Sequence, residues 1–128
     1  MWIFLDVAAI LTIQADLIDV YGGSHGLRDP GLLESAVMRA QNKVDFDPTA
    51  TVASVAASLS YGLIKNHAFI DGNKRIGLAA LNDFLGLNGH RLAVSQGERI
   101  EMVRRVAASE ITEEEWTAWV ERSVALVG

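Results

Sequence analysis

Residues 52–89 read VASVAASLSYGLIKNHAFIDGNKRIGLAALNDFLGLNG, and the order of signals in this stretch decides the fold. Val52, Val55, Ala56, Leu59, Leu63 and Ile64 recur at helical spacing. Small residues (Ala53, Ser54, Ala57, Ser58, Ser60) fill the positions between them, so neighbouring helices can approach closely from several sides. The pattern predicts a central, nearly enclosed helix. Asp47-Pro48 upstream carries a capping carboxylate followed by an N1 proline and is read as its start. Asn66-His67 breaks the pattern. A second helix begins near Asp71 and runs through Ile76, Leu81, Phe84 and Leu85 to the terminator Asn88-Gly89.

Outward from this pair, the remaining signals are also helical. Val7, Ile10, Leu11, Leu17, Ile18 and Tyr21 share one helix face, with Asp6 as cap and Gly22-Gly23 as stop. A loop, Gly22-Gly23-Ser24-His25-Gly26, leads to Asp29-Pro30, which opens a helix carrying Leu32, Leu33, Ala36 and Val37. Asn42 to Asp47 is polar and reads as loop. Ser95-Gln96-Gly97-Glu98 and Thr112-Glu113-Glu114-Glu115 are capping boxes. The first opens a helix with Ile100, Val103, Val106 and Ala107 inward; the second, one with Trp116, Trp119, Val120, Ser123 and Val127 on one side. Arg91 to Val94 is a candidate short strand that could pair with Ile3 to Leu5. The sum is a single domain over residues 1–128, an all-α orthogonal bundle of about six helices with at most a minor short β-hairpin.

Composition narrows the function. The chain has 128 residues, a formal net charge of -5, 50% hydrophobic and 21% charged residues, and no cysteine. One domain of this length buries a core without staples, and the lack of cysteine removes disulfides, thiolate chemistry and Cys-based zinc sites. The acidic balance disfavours direct nucleic-acid binding. No apolar run approaches the ~20 residues that span a bilayer. Met1 to Leu5 lacks a basic leader and Asp6 interrupts it, so no membrane association and a cytoplasmic location are expected.

One segment is unlike scaffold: His67-Ala68-Phe69-Ile70-Asp71-Gly72-Asn73-Lys74-Arg75. It lies where a loop becomes a helix, so Gly72 to Arg75 supply the unpaired N–H groups of a first turn and favour an anion. Lys74 and Arg75 stand there against the helix dipole, at a cost of a few tenths of a kcal/mol each that a phosphate-bearing ligand reverses. Asp71 has two compatible roles, as the N-cap and as a hard oxygen ligand for Mg2+. Asn73 can donate to a phosphate oxygen, or stand solvated in the first turn. Gly72 permits close backbone approach, or simply a tight turn. His67 is the general-base candidate, histidine being the commonest side chain in that role; Phe69 and Ile70 anchor the loop. Neither a Walker A pattern, a GxGxxG, nor a zinc-ligand cluster is present, so a nucleotide site here is of another design.

These nine residues resemble the signature of the Fic/Doc superfamily in its death-on-curing (Doc) branch, His-x-Phe-x-Asp-(Gly/Ala)-Asn-Lys-Arg. Tyr21-Gly22-Gly23, Asp29-Pro30-Gly31 and Phe84-Leu85 before Asn88-Gly89 extend the likeness along the chain. The resemblance implies an all-α fold and transfer of part of a nucleoside triphosphate to a protein hydroxyl. It makes His67 the base, Asp71 the Mg2+ ligand, Gly72 and Asn73 the lining of the anion cradle, and Lys74 and Arg75 phosphate contacts. Adenylylating Fic proteins read Gly-Asn-Gly-Arg with a further arginine three residues on; here Lys74 replaces the second glycine and Leu78 that arginine. In the Doc branch this change goes with a reversed ATP that presents its γ-phosphate. The implied reaction is phosphorylation of a threonine of elongation factor Tu by the toxin of a toxin–antitoxin pair, neutralised by a Phd-like antitoxin. Some Fic proteins carry an inhibitory helix within the chain; the nearest match, Ser109 to Glu113, is better explained by capping.

Other residues keep plainer readings. His25 and Lys65 are possible substrate contacts, although a Gly-rich loop and a helix C-terminus account for them. His90 reads as surface, and Trp116 and Trp119 as core. The alternatives are AMP transfer from ATP, a catalytically silent binding module on the same cleft, and a ribonuclease, which the charge of -5 disfavours.

Overall fold

The computed structural model describes residues 1–127, as six helices and two short strands. The helices are α1 (Val7–Tyr21), α2 (Pro30–Phe46), α3 (Val52–Asn66), α4 (Asn73–Leu87), α5 (Gln96–Ala107) and α6 (Glu113–Ser123). Strand β1 (His90–Leu92) follows α4, and β2 (Val124–Leu126) follows α6. The two pair antiparallel, with Arg91 opposite Ala125. The fold is all-α, as expected. Among the described residues no helix is long and apolar enough to cross a membrane.

Helix α3 is the axis of the bundle. Ala53 to Ser60 and Gly62 to Ile64 are all buried, against α2, α4 and α6. Two glycines set how closely the helices approach. A Cβ on Gly77 of α4 would stand 2.4 Å from Ile64 Cγ1, and one on Gly62 would stand 3.3 Å from Ala36 Cα. Trp116 of α6 is fully buried and donates its indole N–H to Ala57 O at 3.2 Å and Ser60 Oγ at 3.1 Å. Burying that ring therefore leaves no indole donor without a partner.

Several local expectations give way to tertiary partners. Asp47 does not cap α3: α2 continues through the polar stretch to Phe46, and Asp47 accepts from Thr49 N and Oγ1 at 2.9 and 2.7 Å. Thr51 caps α3 instead, in a capping box with Ser54. The strand after α4 pairs with β2 and not with Ile3 to Leu5; Asn88 occupies the main chain of Ile3, accepting from its N–H and donating to its carbonyl. Helix α6 stops at Ser123, so Val127 follows β2 instead of facing the core. The box at Ser95 is half made, because Glu98 Oε2 accepts from Trp119 Nε1 at 2.7 Å. Ile100 and Tyr21 are exposed, whereas Gln14 of α1 is buried.

Candidate active site

The conspicuous segment connects α3 to α4. Helix α3 ends at Asn66, and His67 is its C-cap in the left-handed region, with φ 50° and ψ 47°. A side-chain-bearing residue held there costs about 1–3 kcal/mol, which the surroundings must supply. They do so through the segment before α2. Leu27 and Phe69 form an antiparallel bridge, and Ile70 N donates to Gly26 O at 3.1 Å. Arg28 N and Asp29 N both donate to Ala68 O, at 2.7 and 3.0 Å. The Arg28 guanidinium donates to His67 O through Nε (2.8 Å) and Nη2, and to Asn66 O at 3.4 Å. Ala68 and Phe69 are buried anchors. Ile70 is not: it is 59% exposed and packs over Gly26, against the expectation that it anchors the loop.

The loop ends where α4 begins, and this terminus differs from the others. Gly72 is the N-cap, with φ 82°, and no side chain caps the helix. The other five helices each carry a side-chain cap, from Asp6, Asp29, Thr51, Ser95 and Thr112. The first bond of α4 runs from Ile76 N to Gly72 O, at 2.9 Å. The N–H groups of Asn73, Lys74 and Arg75 precede it and have no carbonyl to reach within the helix.

Asp71 is not the cap that sequence suggested. It lies one residue too early, and its carboxylate accepts from Gly72 N at 2.9 Å and from Ser24 N at 3.3 Å. The loop after α1 is thus drawn against it; a Cβ on Gly23, whose φ is 110°, would fall 2.7 Å from Asp71 Oδ2. A capping Asp71 would have consumed a first-turn donor. In its actual position it leaves those donors to a ligand.

Asn73 also departs from expectation. Its side chain accepts from Phe69 N at 3.1 Å and donates to Phe69 O at 3.0 Å, so it holds the loop closed instead of facing an anion. Lys74 and Arg75 are exposed. The Arg75 guanidinium lies over the Tyr21 ring, 4.6 Å from its centroid. His67, Asp71, Gly72, Lys74 and Arg75 therefore share one loop and first turn, with His67, Asp71, Lys74 and Arg75 exposed and Gly72 half-buried. His25 and Lys65 turn elsewhere: His25 Nε2 meets Asp19 at 3.3 Å, and Lys65 Nζ donates to Ser109 Oγ between α5 and α6. Sequence reasoning overlooked Ser24 and Arg28 around this loop. The run Gly22-Gly23 was the available hint that backbone must come close to something.

The donor set fits a magnesium–nucleotide ligand. Mg2+ is commonly held by one or two carboxylates together with phosphate oxygens and water. Asp71 is exposed, and each of its oxygens keeps a lone pair beyond the N–H it accepts. The uncapped N–H groups beside it, with the Lys74 ammonium and the Arg75 guanidinium, match phosphate oxygens.

A model described as the Fic/DOC family matches residues 4–85, which take in α1 to α3, this loop and most of α4. The chain belongs to the Fic/DOC family. Among curated relatives of this Fic/DOC chain, a "Toxin Doc" of Mycolicibacterium smegmatis is 45% identical over 91 residues, 70% of this chain and 68% of the relative. A "Protein kinase doc" of Escherichia phage P1 is 35% identical over 72 residues, 56% of this chain and 57% of the phage protein. The matched part thus spans little more than half of the phage relative.

Proposed function

We propose that this Fic/DOC chain is the toxin of a toxin–antitoxin pair and transfers the γ-phosphate of ATP to a threonine hydroxyl of elongation factor Tu, blocking translation. The observation that carries the reading is the α4 N-terminus: no side chain caps it, Lys74 and Arg75 are exposed beside it, and Asp71 and His67 precede it on one loop. The relatives named as a toxin and as a protein kinase point the same way.

In this reading the exposed His67 imidazole takes the proton of the acceptor hydroxyl. That oxygen forms the new bond to the γ-phosphorus while the bond from phosphorus to the ADP oxygen breaks. Phosphoryl transfer needs positioning and charge neutralisation more than covalent help from the protein. The first-turn N–H groups, with Lys74 and Arg75, hold the phosphates. Asp71 holds Mg2+, which when bound spreads the phosphate charge. Asn73 and Gly72 shape the cradle, one by closing the loop on Phe69 and the other by its left-handed backbone. His25 and Lys65, read from the sequence as possible substrate contacts, pair with Asp19 and Ser109 and are assigned no step of the transfer.

AMP transfer is the second reading. Lys74, where adenylylating relatives carry glycine, and Leu78, which packs against the core where they carry arginine, weigh against it. Neutralisation by the C-terminal segment of a Phd-like antitoxin, folding into a groove, belongs to the same proposal.

The test is incubation of the purified protein with elongation factor Tu, Mg2+ and ATP, followed by intact-mass analysis of the factor. One added phosphate, absent with His67→Ala, is the expected result. One added AMP replaces the kinase reading with adenylylation. An unchanged factor, with protein shown to bind ATP, overturns the choice of target.

A further inference from the structure

We propose that Arg28 is a positioning residue: its guanidinium clamps the carbonyl of His67 and holds that residue in the left-handed backbone conformation from which the imidazole acts. This rests on the reading of His67 as the base.

Two features of the structure meet at this contact. The first is strain. Among the described residues only His67 and Ser109 combine a side chain with positive φ, and His67 is the one on the candidate site. The second is the placement of the Arg28 donors. Nε and Nη2 both reach His67 O, and Nη2 also reaches Asn66 O. These carbonyls leave the C-terminus of α3, where backbone acceptors have no partner within the helix and the dipole is negative. A guanidinium satisfies two such carbonyls at once, with charge-assisted bonds, from a planar fork that a lysine lacks.

The division of labour separates this clamp from general scaffolding. The buried part of the loop is already secured by main-chain bonds: Arg28 N and Asp29 N to Ala68 O, and Ile70 N to Gly26 O. Any residue other than proline at position 28 retains them. What the arginine side chain adds acts on the terminal carbonyls of α3, and chiefly on that of His67. Removing it leaves the loop attached and releases the strained residue, so the imidazole samples other directions. A base displaced by about 1 Å loses on the order of 100-fold in rate.

The experiment compares wild type, Arg28→Lys and Arg28→Ala in three measurements. Steady-state transfer from Mg-ATP to elongation factor Tu is expected to show kcat lowered roughly 10- to 100-fold in Arg28→Ala, with KM for ATP within about two-fold. Arg28→Lys should recover part of the loss, and guanidinium ion added to Arg28→Ala, below any unfolding concentration, should recover part as well. Thermal melting is expected to move little, because the side chain is exposed. On isotope-labelled protein without nucleotide, the His67 backbone resonances should leave their left-handed positions in Arg28→Ala, while those of α3 up to Ile64 stay.

Unchanged kcat together with unchanged His67 resonances overturns the proposal. So does a parallel collapse of kcat, KM and melting temperature that neither lysine nor guanidinium relieves, which is the mark of a purely structural arginine. If His67→Ala transfers phosphate at the full rate, the base assignment fails by itself, and the resonance measurement still decides whether the clamp exists.

Discussion

The side-chain amide of Asn73 closes a ring of two hydrogen bonds on the main chain of Phe69, accepting from its N–H at 3.1 Å and donating to its carbonyl at 3.0 Å. Phe69 is buried, so the first residue of α4 is tied to the core anchor of the loop that precedes it. The turn between them presents Asp71 and Gly72 to solvent because its two ends cannot separate. An amide is required at position 73, since one oxygen must accept while one nitrogen donates.

Asn73→Ala removes both bonds and leaves the Phe69 main-chain groups without partners, a loss of about 1–3 kcal/mol. The expected result is a clear fall in unfolding free energy on denaturant titration, with transfer activity falling too. Asn73→Asp keeps the acceptor and loses the donor, so it should lie between. Equal stability of all three proteins would show that the ring contributes nothing.

At Gly72 the constraint is backbone and not space. Its φ is 82°, and a Cβ there would meet only Ile18 Cδ1 at 3.8 Å and Ile76 Cδ1 at 3.9 Å, ordinary contacts. Gly72→Ala should therefore cost about 1–2 kcal/mol through the left-handed conformation alone. Gly72→Asn should cost less, because asparagine enters that region more readily. Denaturant midpoints decide it, and an alanine variant as stable as wild type would contradict the strain argument.

Gly77 presents the opposite case. A Cβ there would be 2.4 Å from Ile64 Cγ1 and 3.4 Å from Ser60 O, so α3 and α4 would have to part. Gly77→Ala is expected to destabilise by about 1–3 kcal/mol despite the better helix propensity of alanine. Adding Ile64→Val should return part of the loss. Strictly additive effects of the two substitutions in a double-mutant cycle would rule out the contact as the cause.

Tyr21 carries the Arg75 guanidinium on its ring face at 4.6 Å, and the residue is 62% exposed. An exposed pair of this kind is worth about 0.5–1 kcal/mol. Tyr21→Leu should leave melting almost unchanged and weaken ATP binding a few-fold as Arg75 loses its support, whereas Tyr21→Phe should bind as wild type does. Isothermal titration with ATP separates these outcomes; identical affinities for all three proteins would detach the ring from the site.

Arg104 pairs with Glu101 and Glu110 and holds both carboxyls below the ordinary value of 4.5, chiefly by side-chain hydrogen bonds. A carboxyl depressed in the folded state stabilises it above its unfolded pKa and loses that contribution as pH falls through the lowered folded value. Thermal melts at low salt should therefore decline as pH drops below 4.5, and Arg104→Met should flatten a small part of the decline. The part is small because these charges are exposed and screened. Parallel pH profiles for the two proteins would exclude the linkage.

How far these features were legible differs from residue to residue. His67, Asp71, Gly72, Lys74 and Arg75 could be picked out because they are contiguous, and the spacing of apolar residues on either side put them between two helices. Asn73 lay in the same stretch but its direction did not: first-turn position allowed either an outward donor or an inward clamp. Asp71 was misassigned as a cap because capping is decided by one residue of register, which the backbone at Gly72 sets. The partner of Lys65, Ser109, lies 44 positions away and could not be read from the local pattern.

The sequence by itself determined the all-α class, the central place of α3, most helix limits and the place of the loop proposed to carry the chemistry. These follow from interactions within a few residues of each other: caps, stops and the period of apolar positions. The tertiary structure decided which groups remain free for a ligand. Ser24 reaches Asp71 across 47 positions, Arg28 reaches His67 across 39, and Lys65 reaches Ser109 across 44. Periodicity tells a helix which face to bury but not against what. Pairings over such separations are chosen by the close packing of the whole bundle, where each orphan donor or acceptor must find its partner.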